Sequence, residues 1–453
     1  MIWPHKYDIH RRRAADGDAW RLQPQDRKKE EVMEGERVGK HVTKDIYIET
    51  DGIHAFYAGG QNYAGVDGET ILEMVTSEML HWVKHDDGRT TLDACYDGTW
   101  LRRSEDNGGH WQETGEKTRF DTERTDEQQL PSGMVLDERS DTLIHFLQGQ
   151  RADKSCYGYI NQGCYRVFTS ISKDRGQTWT DAVPIVDRRE DFDTDNWGPE
   201  FEYGNRGAIL NGDSCVWMED GSLVAPFTGY ERLDGTKPWY FRIICGRGVW
   251  NEDQTALDWE FGSYFEVGLD KATSGCCEPS IVSLGGDRLF MTSRCQGGEA
   301  ENLYSTRYCS TSEDAGMTWS DPEPLLYDDG DPVFTPASSS VFHQSTRTGK
   351  TYWLGNILNA PVYGQTPRYP LMLAEFDLGC TCLVRDSVRL IQDRPDDSHE
   401  LVRYTNFGHY EDRASGHLIV TLPEQYRRLG WDEMEKPQDF AADCVRYTVE
   451  LEV

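Results

Sequence analysis

One hairpin in the sequence carries residue types that could do chemistry. It reads Glu278-Pro-Ser-Ile-Val-Ser-Leu-Gly-Gly-Asp-Arg-Leu-Phe-Met-Thr-Ser-Arg294, two apolar strands joined at Gly285-Gly286-Asp287. A carboxylate precedes the first strand and a guanidinium ends the second, so pairing puts Glu278 and Arg294 at the same end. There a carboxylate can take a proton, and an arginine can grip an anion through its planar fork. Other residues raise the same question. Glu200 and Glu202, with Arg206 nearby, suit a paired-carboxylate hydrolase, against the plainer reading of a solvated loop. His145 could be the base of a lyase, although a lone histidine in an apolar strand is by default a satisfied core residue. Tyr63, Tyr363, Tyr369 and Trp353 offer faces for sugar stacking, against ordinary core packing.

The elements that must position these residues are short strands and repeated turns. Directly after the hairpin comes Ser312-Glu-Asp314-Ala-Gly316-Met-Thr-Trp319. The pattern Ser-x-Asp-x-Gly-x-x-Trp also occurs at Ser104 to Trp111 and at Ser172 to Trp179. Ser and Asp can hydrogen-bond the turn's own backbone, Gly supplies positive φ, and Trp plugs the base between strands. These aspartates are folding devices and are not catalytic candidates. Asp106 and Asp174 are 68 residues apart, and Asp174 and Asp314 are 140 apart, about twice that. A unit with a degenerate turn must therefore lie between them. Strand patterns near 214–245 supply it, ending in Asn251 to Trp259. Strand patterns at 338–342, 351–355 and 371–376 make a further unit. Those near 404, 417–421 and 445–453 make the last, closed by strands from both ends of the chain. The expectation is an all-β, six-bladed β-propeller spanning residues 37–453, preceded by an irregular polar arm at 1–36.

Composition narrows the class. A net charge of −32 over 453 residues argues against nucleic acid and anionic membrane surfaces as partners. An anionic substrate would need a local arginine cluster to overcome that field. The twelve cysteines are scattered without a Cys-x-x-Cys pair, so no zinc site is expected, and no cofactor is called for. Cys380-x-Cys382 is too short a spacing to carry weight, and the scatter favours free thiols in a reducing compartment. No apolar run suits a signal peptide or membrane span, which favours the cytoplasm unless a leader was removed.

These residues together resemble the sialidase (neuraminidase) superfamily, whose Asp-box turns match the three motifs. The resemblance covers most of residues 40–453. It implies a six-bladed propeller in which three arginines hold a substrate carboxylate, a glutamate activates a tyrosine nucleophile, and an aspartate is the acid/base. Glu278 and Arg294 look like the glutamate and the second arginine. Arg368, in Gln-Thr-Pro-Arg-Tyr-Pro, resembles the third, and Tyr404, in Tyr-Thr-Asn-Phe-Gly-His-Tyr, resembles the nucleophile. Asp67, in Gln61-Asn-Tyr-Ala-Gly-Val-Asp67-Gly, fits the acid/base place on a loop after the second strand, with Asp97 its rival. The Arg-Ile-Pro segment that carries the first arginine is absent, and Lys40 and Lys44 are the best stand-ins.

The expected function is that of an exo-acting, retaining glycoside hydrolase releasing sialic acid or a related acidic sugar from glycans. A neutral tyrosine suits this chemistry, because a carboxylate nucleophile would be repelled by the substrate carboxylate. Two alternatives stand beside it: a propeller hydrolase or lyase on uronic-acid glycans, and a carbohydrate-binding propeller without turnover.

Overall fold

A computed structural model describes residues 37–84, 90–118, 126–150, 166–202, 207–231, 240–431 and 433–452. The proposed arm at 1–36 lies outside the described residues. The strands form six antiparallel sheets, the blades of a β-propeller. No helix is long and apolar enough to cross a membrane among the described residues.

Blade I runs Ala55–Tyr63, Ile71–Lys84, Thr90–Ser104 and Gln112–Thr118, from axis to rim. Blade II begins at Gln128–Asp137, and the blade inferred from motif spacing is blade III, with Ala208–Leu210, Leu223–Glu231, Tyr240–Trp250 and Leu257–Phe261. Blade IV contains the hairpin, as Cys276–Gly285 and Arg288–Cys295, followed by Thr306–Ser312. Blade V has Ser340–Gln344, Thr351–Asn356 and Leu371–Asp377. Blade VI is closed by both ends of the chain: Val42–Ile48 pairs with Cys444–Val449, which continues to Leu418–Pro423 and Gly408–Glu411 at the axis.

Apolar clusters fill the wedges between neighbouring blades, so each blade buries its faces against the next. Near the axis the backbones approach closely. A Cβ on Gly408 would meet the Ala58 carbonyl oxygen at 2.4 Å, so glycine is required there.

The three repeated turns share one geometry. In each, the Ser Oγ lies 2.8 Å from the Asp Oδ1 and accepts the Gly N–H at 2.8–2.9 Å. The same Asp oxygen accepts the N–H of His110, Thr178 or Thr318 at 2.7–2.8 Å. In the degenerate turn Asn251 does this work, accepting the N–H of Thr255 at 2.9 Å.

The strand at 42–48 is the outer strand of blade VI, so the last blade is closed by both ends of the chain, as the strand patterns predict. One expectation changes. Cys380 and Cys382 are disulfide-bonded, whereas the other cysteines with described side chains are free thiols.

Candidate active site

Each axial strand starts at one end of the propeller and finishes at the other, where the Asp-box turns lie. Glu278 sits near the start of blade IV's axial strand. The ladder is interrupted between Cys277 and Ser280, and Glu278 adopts φ 47°, in the left-handed region that non-glycine residues rarely occupy. That bulge re-aims the side chain. Arg294 pairs in register with Cys277, and its Nη1 donates to Glu278 Oε1 at 2.7 Å. The hairpin reading of the sequence is thus realised as a nearly buried ion pair.

Two more guanidinium groups reach the same place. Arg307 is the cross-strand neighbour of Arg294 and is completely buried, with Nη2 donating to the Ser338 carbonyl. Arg368 is buried on the segment entering blade V. Its Nη2 donates to Gln365 Oε1 at 2.6 Å and its Nε to the Gln365 carbonyl at 3.2 Å. Burial alone would raise the Glu278 carboxyl, but the charge and hydrogen bond of Arg294, with the charge of Arg368, bring it down to about 2. Burial pushes the Arg307 guanidinium down to about 10, with Glu278 opposing and Arg294 reinforcing the fall. Burial is also the main cause of a lowered Arg368, joined by repulsion from Arg403 and Arg294.

Tyr404 joins this end through the backbone. Its N–H donates to the Arg368 carbonyl at 3.0 Å, and its own carbonyl accepts from Asn356 Nδ2 at 3.1 Å. Its side chain is fully buried in the apolar wedge between blades V and VI. Arg403, next to it, is buried with its guanidinium 4.5 Å from the Tyr426 ring centre.

Asp67 is not brought to this end. With residues 42–48 in blade VI, the loop holding Asp67 follows the first strand of blade I, which places it at the Asp-box end. There it caps its own turn, accepting from the N–H groups of Glu69 and Thr70 at 3.1 and 3.2 Å, and pairs with Arg175 at 2.6 Å. Its rival Asp97 does lie at the arginine end, accepting from Lys117 Nζ at 2.9 Å. Lys44 lies on the outer strand of blade VI, paired with Glu424 at 3.0 Å, and Lys40 precedes that strand, so neither replaces the first arginine.

The other sequence candidates scatter. Glu200 pairs with Arg242 in blade III, and Arg206 lies outside the described residues. His145 is buried against Trp179 with its ring held neutral, lowered to about 4 by burial. Tyr63 donates to Asn107 at the Asp-box end, and Trp353 is buried core. Tyr369 packs half-buried beside Arg394. Tyr363 stacks on the exposed Tyr304, centres 4.8 Å apart, on loops at the arginine end.

Sequence reasoning missed one pair at this end. Glu78 faces Ala55 at the start of blade I's axial strand, and Tyr57 donates to its Oε2 at 2.6 Å. Burial raises Glu78 to about 7 against the lowering effects of Tyr57 and the nearby charge of Arg403. The signal available was the strand pattern, which continues past Ser77 to Lys84 with Glu78 inside it.

The BNR repeat-like domain family matches residues 72–326, more than half of the chain. The chain belongs to that family. Among solved structures the BNR propeller is similar to a Hadza microbial sialidase, with TM-score 0.51 and 13% identity over 88% of this chain and 66% of that one. It is also similar to the NanB sialidase from Streptococcus pneumoniae, with TM-score 0.54 and 11% identity over 91% and 71%. A third is the intramolecular trans-sialidase from Ruminococcus gnavus, with TM-score 0.51 and 11% identity over 88% and 96%. Identities this low establish a shared fold. No curated protein matches the sequence.

Proposed function

We propose that this BNR propeller is an exo-acting glycoside hydrolase that takes a terminal acidic sugar, sialic acid or a related keto-acid, from glycans. One observation carries the reading: the buried guanidinium groups of Arg294, Arg307 and Arg368 gather about a single glutamate, Glu278, in a chain of net charge −32. Concentrated positive charge at one end of the axis suits a substrate carboxylate, which Arg294 and Arg368 would hold by charge-assisted hydrogen bonds. The sialidase and trans-sialidase neighbours support the same substrate class through shared fold alone. The exposed Tyr304–Tyr363 stack offers the rest of a glycan an apolar face.

In this reading Tyr404 attacks the anomeric carbon, Glu278 takes its proton, and Asp97 protonates the departing oxygen. The sugar is released with retained configuration after water attacks the tyrosyl intermediate. A second assignment of the proton-taking pair is favoured by the 2.6 Å hydrogen bond between Tyr57 and Glu78 at the same end. Turnover of a fluorogenic sialoside tests both. Arg294→Lys should cut kcat/KM by about 100-fold through loss of the bidentate fork. Tyr404→Phe should abolish turnover while Tyr57→Phe retains it, and the reverse pattern would move the nucleophile to Tyr57. Full activity in Arg294→Lys would sink the carboxylate assignment.

A further inference from the structure

The propeller axis holds a second polar region, away from the arginine end. A cavity of about 250 Å³ lies there, lined by blades I, II, III, V and VI. It opens at the Asp-box end, where Arg413 on its wall is exposed. Glu278, Arg294, Arg368 and Tyr404 do not border it. Its polar groups, unlike those of the Asp-box turns, lack partners. The turn Gly212–Ser214 carries Asp213 to the cavity, and its carboxylate makes no hydrogen bond or ion pair with a described residue. Water reaches Asp213, yet enough protein surrounds it that burial raises its carboxyl to about 6. Gln61 is 4% exposed. Its Nε2 donates to Thr421 Oγ1 at 2.9 Å, which leaves its Oε1 buried without a partner. The His409 ring is held neutral, lowered to about 3 by burial and then by His343. Its nitrogens make no hydrogen bond among the described residues. A purely structural cluster would pair such groups with one another.

We propose that this cavity binds a neutral sugar ring, independently of the reaction at the arginine end. The unpartnered groups are mainly acceptors: the Asp213 carboxylate, Gln61 Oε1 and one nitrogen of neutral His409. Sugar hydroxyls are the donors that satisfy them. Tyr63 and Tyr410 meet edge to face at 6.3 Å on the same wall and offer the C–H face of a sugar an aromatic surface. An anionic sugar does not fit, because Asp213 and Glu411 both bring carboxylates and Arg413 is already engaged by Glu138. A divalent cation does not fit either, since calcium takes about six to eight oxygen ligands. Glu411 is occupied by the Thr346 N–H at 3.0 Å and by His343 at 3.4 Å, and the described residues hold no group of three or more metal-binding side chains. The volume lies just below the range of drug-sized ligand pockets, which suits one ring.

The test is ligand-observed NMR titration with the methyl glycosides of galactose, glucose, mannose and xylose, each with and without saturating N-acetylneuraminic acid. At least one glycoside should bind the wild-type chain and resist displacement by the acid. Asp213→Ala should weaken that glycoside by about 10-fold or more, the effect of losing a hydrogen bond to a charged group. The carboxylate has no partner in the fold, so the same variant should keep its denaturation midpoint. Should Asp213→Ala not fold, His409→Phe keeps the ring and removes both nitrogens, and the same loss of affinity is expected. Binding unchanged in the variant, or displaced by N-acetylneuraminic acid, would place the glycoside outside this cavity and overturn the proposal. Failure of all four glycosides to bind would overturn it too, and binding of butylammonium in their place would make the cavity a cation site. None of these outcomes bears on turnover at the arginine end, so the two readings fail separately.

Discussion

The two ends of the propeller treat charge in opposite ways. At the Asp-box end each aspartate is spent on its own turn. Asp106 and Asp174 are lowered to about 2, first by the side-chain hydrogen bonds from His110 and Thr178, and water covers both groups. At the arginine end Glu278 reaches a similar value by another route, against burial, because Arg294 and Arg368 stand beside it. The charges of the Asp-box turns themselves are local, open to solvent and satisfied. Those at the second are assembled from distant segments, buried and short of partners. The contrast separates residues that build the fold from residues kept for a ligand, since uncompensated buried charge persists only where something else requires it.

The sharpest way to break this contrast is to remove one polar side chain from each end. Glu278→Ala strands Arg294 in a buried site, and a loss of about 3–5 kcal/mol in chemical denaturation is expected together with loss of activity. Ser312→Ala removes one buried hydroxyl from an Asp-box turn. It should cost about 1 kcal/mol and leave kcat/KM unchanged. If the two variants proved equally mild, the arginine end would hold no special charge arrangement.

pH sharpens the comparison further. The Glu278 carboxyl is held at about 2 against an ordinary 4.5, so its contribution is present above pH 4.5 and is lost as pH falls from there toward 2. Glu78 is raised to about 7 from the same 4.5, so its folded form holds a proton that the unfolded chain has released. Stability should therefore decline as pH rises from 4.5 to about 7. Glu78→Gln should flatten that decline and leave the acid side untouched. A denaturation midpoint series across pH 2–8 reads both slopes, and an unchanged slope in Glu78→Gln would contradict the assignment. The smallest effect is expected at Asp67, whose replacement by Asn should leave turnover intact because its carboxylate serves a turn at the Asp-box end. A large loss of activity would return it to the site.

Legibility in the sequence follows the same division. The Asp-box turns could be read directly because each is a local device of eight residues. Their spacing exposed blade III even though its turn uses Asn251 in place of the motif. Glu278 and Arg294 were readable together because one hairpin sets their register. Asp67 was misplaced because its loop follows the axial strand of blade I, and which end of the propeller that strand finishes at is set by packing rather than by the local pattern. Arg307 was passed over for a related reason. Only the pairing of Thr306–Ser312 with the hairpin brings it opposite Arg294, through an irregular loop that hides the register. Arg403 and Tyr404 meet Arg368 only because the segments entering blades V and VI run side by side.

The measurement that tests the central claim most directly is turnover of a fluorogenic sialoside beside glucuronide, galacturonide and uncharged glucoside and galactoside substrates. An arginine end built for a carboxylate predicts hydrolysis confined to acidic glycosides, with the sialoside preferred. Equal hydrolysis of uncharged glycosides, or none of any acidic one, would contradict it.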